Sequence, residues 1–427
     1  MKSIGLPILL FVHSTVAAAQ GPVEPRENPS PAQMKIAAAE KTIAGAADRF
    51  QSYNQLAGAL VRRAEETGDP AFYSQAESAL EKSFSLSPAN LGGQKIRAAI
   101  LLGQHRYEEA LEQAKTVNAL WPDDVLVYGY IADAQAALGR YSDSEEAVQW
   151  MLNLRPGNIP GMRRAAALRE LFGDIDGAAE MLASELVQTA PDESADRASV
   201  LTRLAHLQLI TGRLAEGERY LEQARAAFPT DLETMLELAE LRRAQERAPE
   251  ATRILNQLYL LSPTSDHAYR LAVALQREGQ DRYAKATFGD FERKARAEMD
   301  HPQNANLDLV FYYADVSNDP AEALRLAKGE ITKRQDVYTR DAYAWALSAN
   351  GQDEEAYREI QAALSLGLRD ARVLFHAATI AMRAHDSRAA AEYFKASLDL
   401  NPRSEWARPA RQALGELSKM QAPAPGN

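Results

Sequence analysis

Apolar positions along this chain recur every three or four residues, the period of a buried helix face and not the alternation of a strand. Each run ends at a turn or at a proline. Pro88, Pro122, Pro156, Pro191, Pro229 and Pro263 follow one another at steps of 34, 34, 35, 38 and 34 residues. A period of this size means a stack of similar helical units. The unit over 91–124 shows the plan. It predicts a helix over 92–102, a turn at Gly103-Gln-His-Arg-Tyr107 and a second helix over 108–120, stopped at Trp121-Pro122. Proline lacks the N–H that another helical turn needs, which makes the stop firm. The next unit repeats the plan, with Gly139-Arg-Tyr141 at the turn and Pro156 at the end.

Small residues hold two fixed places. Mid-helix one carries Ala98, Ala132, Ala166, Ala205, Ala239, Ala344 and Ala378. Early helix two carries Ala110, Ser144, Ala178, Gly217, Ala251, Ala323, Ala356 and Ala390. Two helices approach closely only where their facing side chains are small. Four residues further on come Val148, Leu182, Leu221, Leu255, Ile360 and Phe394, the rest of an amphipathic stripe.

With Tyr53-Asn-Gln-Leu56-Ala57-Gly-Ala-Leu60 at the start and Asp399-Leu-Asn-Pro402 at the close, this pattern resembles the tetratricopeptide repeat (TPR). The last units, Asp341-Ala-Tyr-Ala-Trp-Ala-Leu347 and Leu374-Phe-His-Ala-Ala-Thr-Ile380, look like the end of bacterial exported TPR proteins. The resemblance covers about residues 50–404. It implies an all-α fold: a right-handed α-solenoid of about ten helix-turn-helix units with a capping helix at each terminus. The expected division is a signal peptide over 1–19, a disordered leader over 20–33 and a capping helix over 34–49. A block of about seven units over 50–303 and three more over 304–404 follow, then a capping helix over 405–420 and a tail over 421–427. The insertion at Arg62–Pro70 lengthens the first unit. The charged helix from Asp281 to Glu298 is longer than its counterparts, with a bend expected near 280–305 as the alternative to repeat drift.

Met1-Lys2-Ser3, the apolar run Ile4–Val12 and Ala17-Ala18-Ala19 have the three parts of a secretory signal peptide. The expected location is therefore periplasmic or secreted. The chain has no cysteine, so neither disulfides nor the lipid-bearing cysteine of a bacterial lipoprotein is available. A net charge of −11 disfavours a surface for nucleic acid or anionic lipid. No second segment is apolar and long enough to suggest membrane insertion.

Catalytic patterns are lacking: there is no zinc-type histidine pair, phosphate loop, Gly-x-Ser-x-Gly elbow or cysteine nucleophile. No metal and no cofactor are expected. His105 and His385 fall in turns and are expected to face solvent. His376 sits on a first helix, where a packed or surface role is expected. What the resemblance implies instead is a concave groove lined by first helices. Its register nominates Lys95, Tyr130, Asp133, Arg163, Arg164, Arg203, His206, Glu240, Arg243 and Trp345, along with Glu170 and Glu237. Arg163, Arg164 and Arg203 could form a basic subsite for a carboxylate. The carboxylate clamp of some TPR proteins is not reproduced: Lys95 fits, but Ala99 and Tyr130 replace its two asparagines. The expected partner is a protein or peptide, with a non-catalytic scaffold as the function. The alternative is an accessory of envelope polysaccharide export, with Tyr130 and Trp345 as glycan-stacking aromatics.

Overall fold

The computed structural model describes residues 30–67, 69–301, 304–367 and 369–421. The predicted signal peptide, the leader up to residue 29 and the tail beyond Gln421 lie outside the described residues. The described chain is all-helical. A first helix, α1 (Pro31–Gly45), precedes ten hairpins. These are α2 (Phe50–Thr67) with α3 (Ala71–Leu86), α4 (Leu91–Gly103) with α5 (Tyr107–Leu120), and α6 (Val125–Ala137) with α7 (Tyr141–Leu154). Next come α8 (Ile159–Leu171) with α9 (Ile175–Gln188), α10 (Ser194–Ile210) with α11 (Leu214–Ala227), and α12 (Leu232–Ala244) with α13 (Ala248–Leu261). Then α14 (Ser265–Arg277) pairs with α15 (Asp281–Ala297) and α16 (Asn306–Asp315) with α17 (Pro320–Lys333). Last are α18 (Val337–Ala349) with α19 (Asp353–Ser365), α20 (Ala371–Arg383) with α21 (Ser387–Leu400), and the closing helix α22 (Ala407–Gln421). Helix α1 begins inside the expected leader, because Ser30 and Gln33 form a capping box with Pro31 at the first helical position.

The periodic prolines do more than stop helices. Two residues after Pro88, Pro122, Pro156 and Pro229 stands Asn90, Asp124, Asn158 or Asp231, and each caps the next first helix through its side-chain oxygen. The facing small residues are buried, from Ala98 and Ala110 to Ala378 and Ala390. Ser144 occupies an alanine position without an orphaned hydroxyl, since its Oγ donates to Ala132 O at 2.8 Å. In the turn between α4 and α5 the left-handed residue is His105 (φ 57°), not Gly103, which still belongs to the helix.

The irregular stretch near 280–305 does not interrupt the core. One apolar cluster runs from Ala239 in α12 to Ile380 in α20. Across the stretch, Phe288 and Phe291 of α15 meet the Tyr312 ring of α16 at centroid distances of 5.4 and 5.6 Å.

Beyond Tyr312 the last hairpins dock on the inner edge of earlier ones. Gln335 N–H donates to Ala137 O at 2.9 Å, and Arg369 N–H donates to Leu171 O at 3.0 Å. The same 34-residue step separates Ala137 from Leu171 and Gln335 from Arg369. Two parts of the array therefore lie side by side in matched register. Val337 N–H donates to Tyr141 Oη at 3.0 Å, Arg243 Nη1 donates to Arg403 O at 3.4 Å, and Arg277 pairs with Glu405. Glycines admit this approach. Gly139 (φ +72°) lies so close to Gln335 that a Cβ there would stand 2.5 Å from the Gln335 carbonyl oxygen.

Candidate functional site

The docking of the last hairpins leaves a cleft of about 840 Å³ between them and the first helices α6, α8, α10, α12 and α14. The cleft continues into a smaller chamber of about 230 Å³. Arg243, Arg270, Arg372, Glu405 and Trp406 line both. The cleft wall is basic on an otherwise acidic protein. It carries Arg243, Arg270, Arg334, Arg369, Arg372 and His206, against Glu170, Asp336, Asp370 and Glu405.

Several nominated groove residues pair with one another along the inner face. Lys95 Nζ meets Asp124 at 2.7 Å, and Arg164 forks onto both oxygens of Asp133 at 2.7 and 2.5 Å. His206 bridges Glu170 at 3.2 Å and Glu237 at 3.0 Å. Burial works to lower the ring's proton affinity, but the hydrogen bonds to Glu170 and Glu237 outweigh it and lift the pKa to about 10. Glu240 pairs with Arg243 at 2.8 Å. Tyr130 packs beside the α6–α7 core, where burial pushes its hydroxyl up to about 12.

The structure corrects the expected basic subsite. Arg163 turns to the fully buried Glu185 of α9, with Nε 2.5 Å from its carboxylate, while Arg164 is held by Asp133. Of the three arginines only Arg203 makes no side-chain hydrogen bond to a described residue, so the trio is not a joint cation site.

Trp345 is corrected too. It is 9% exposed, donates from Nε1 to Asp315 at 2.9 Å and stacks on His376 at 4.2 Å. The glycan alternative thus loses its tryptophan. His105 is half-buried in its turn, not fully open to solvent, and burial, with Arg334 adding to it, pushes its pKa down to about 4. His385 is exposed, as expected. His376 is 1% exposed and bonds Asp341 through Nδ1 at 2.8 Å.

Reading by register placed Glu240 and Arg243, which line the chamber, but missed Arg270, Arg372, Tyr269, Asp308, Phe311 and Trp406. A signal for some of them existed. Arg372 is the second residue of α20 and Tyr269 the fifth of α14, places that the register points inward. Both guanidiniums stay charged. Burial opposes their charge, but Asp266 beside Arg270 and Asp341 beside Arg372 more than offset it. Asp308 differs, since burial and then Asp266 raise its carboxyl to about 6. Among the described residues no cluster of three metal-ligating side chains occurs, and no helix is long and apolar enough to cross a membrane.

Stacked hairpins with small facing residues, capped turns and an inward row of first helices define a TPR-type α-solenoid. No family model matches the chain, and no curated protein matches its sequence. Solved structures similar to it include yeast Tom70, at 13% identity and a TM-score of 0.38, over 86% of this chain and 96% of that one. A tetratricopeptide repeat protein from Parabacteroides merdae aligns at 16% identity and a TM-score of 0.38, over 61% of this chain and 98% of its own. PilF of Pseudomonas aeruginosa aligns at 16% identity and a TM-score of 0.39, over 51% and 94%.

Proposed function

We propose that this chain is an exported, non-catalytic scaffold that receives a segment of a partner protein or peptide in the cleft between its earlier and last hairpins. The carrying observation is that cleft, about 840 Å³ in volume, with five arginines and a protonated histidine in its wall. Its size suits a bound side-chain cluster. Its walls are helices fixed by an apolar core, so little ordering is needed on binding. Non-catalytic use is supported by the surroundings of the Asp341–His376 pair. Its ring lies among Trp345, Phe311 and Trp406, and no described hydroxyl bonds it. Export is supported by the sequence of residues 1–19 alone.

The test is crosslinking in intact cells, recovery of the chain and identification of what accompanies it. One enriched protein, lost in an Arg334→Glu, Arg369→Glu double variant, is the expected result. Enrichment of no protein, or enrichment unchanged by the double variant, would overturn the function proposed here.

A further inference from the structure

One of the unpartnered buried polar atoms among the described residues belongs to an arginine that lines the chamber. Arg372 donates no side-chain hydrogen bond to any described residue, and its Nε is buried without a partner. Asp341, already bonded to His376, comes only to 3.6 Å from that nitrogen. The guanidinium is instead positioned by ring faces, with Cζ 5.3 Å from the Phe311 centroid and 5.5 Å from that of Tyr338. Arg270 directs Nε to both oxygens of Asp266, at 3.0 and 2.9 Å, and neither of its Nη groups bonds a described residue. The two side chains keep 36% and 43% of their surface reachable, and both border the chamber. A buried donor left unpaired is costly, as at Arg372 Nε, and forked donors match a carboxylate.

We infer that the chamber is a receptor for a single carboxylate, held by Arg372 and Arg270, on a ligand that extends into the cleft. This inference rests on the scaffold function above and deepens it. Asp308 lines the same chamber, and its side chain makes no hydrogen bond to a described residue. The chamber's five carboxylates against four arginines, with Glu240 and Glu405 paired to Arg243 and Arg277, leave no surplus of positive charge and favour a monoanion over a doubly charged phosphate. Tyr269, Phe311 and Trp406 supply apolar walls for the group that carries the carboxylate. The site is not the clamp sought in the sequence. Its arginines come from α14 and α20, three hairpins apart, and meet only because the array folds back on itself.

The experiment is isothermal titration of the purified full chain at low salt with N-acetyl-Ala-Ala-Leu as free acid and as amide, with butyrate, and with inorganic phosphate. The free acid should bind and the amide should bind about 10- to 100-fold more weakly, as expected for a charged hydrogen bond. Binding by butyrate at least as tight as by the peptide acid supports the same site and makes the ligand a free small acid. Equal binding of acid and amide, binding by phosphate alone, or binding by none of the four overturns the inference. Arg372→Gln should abolish the preference for acid over amide. Arg372→Lys, which keeps charge but not the fork, guards against a folding artefact and should retain a weakened preference. A partner recovered from cells equally well with wild type and Arg372→Gln would refute the carboxylate site while leaving the scaffold function standing.

Discussion

Replacing Gly139 by alanine tests whether the fold-back is part of the native state. The native φ of +72° is one that only glycine adopts without penalty, so alanine costs about 1–2 kcal/mol from the backbone alone. The added Cβ would also stand 2.5 Å from Gln335 O and 3.3 Å from its carbonyl carbon, both backbone atoms that cannot rotate aside. The Gln335 turn must then withdraw, breaking the 2.9 Å bond from its N–H to Ala137 O. Losing that bond adds about 1–3 kcal/mol. Gly351 supplies the control: it has a φ of +73°, and a methyl group added there would have nothing within 4 Å of it. Gly351→Ala should therefore cost only the backbone part. Urea denaturation of both variants, with small-angle scattering of each native state, measures the difference. Gly139→Ala should lose about 1–3 kcal/mol more than Gly351→Ala, and its radius of gyration should rise. Equal losses with unchanged scattering would refute docking of the last hairpins at Ala137.

Other outcomes follow from the same geometry. The His206 pKa is about 10 in the fold against an ordinary 6.5, so its contribution to stability is complete below about 6.5 and disappears as pH rises through 10. His206→Gln should flatten that part of the stability curve, read as urea midpoints at pH 6, 8 and 10; parallel curves would exclude the Glu170–His206–Glu237 bridge. Asp308 has the opposite sign. Its carboxyl is raised to about 6, so the fold loses stability as pH rises from about 4 through 6, and Asp308→Asn should stabilise the protein at pH 7 by up to about 3 kcal/mol. A destabilised asparagine variant at pH 7 would show that the ionised carboxylate is bonded after all. Trp345→Ala should act as a core deletion, costing about 3–5 kcal/mol in denaturation, because the ring is buried against His376 and bonded to Asp315. A stable variant with lost ligand binding would return Trp345 to the groove.

Much of this protein is legible locally. The proline step, the alanine positions and the cap two residues after each proline are short-range facts. Each hairpin needs only its own residues and its neighbours to form. The number of units, their helix boundaries to within a few residues, the extended first unit and the long α15 all come from that level. So does the general identity of the inward stripe, because helix period fixes which side chains share a face. Which inward residues are free is not a local property. Lys95, Asp133, Arg164 and His206 look like a recognition surface one unit at a time, yet they find partners about one repeat away. Trp345 is assigned to the core by Asp315 and His376, from the hairpins on either side. The chamber depends on contacts between residues nearly two hundred positions apart, such as Tyr141 with Val337. Small rotations at each interface between units add up along a stack, and no single repeat encodes their sum. The sequence by itself determined the repeating hairpin and its inward face; the accumulated curvature of the tertiary structure decided where that face closes on itself and which arginines keep free donors there.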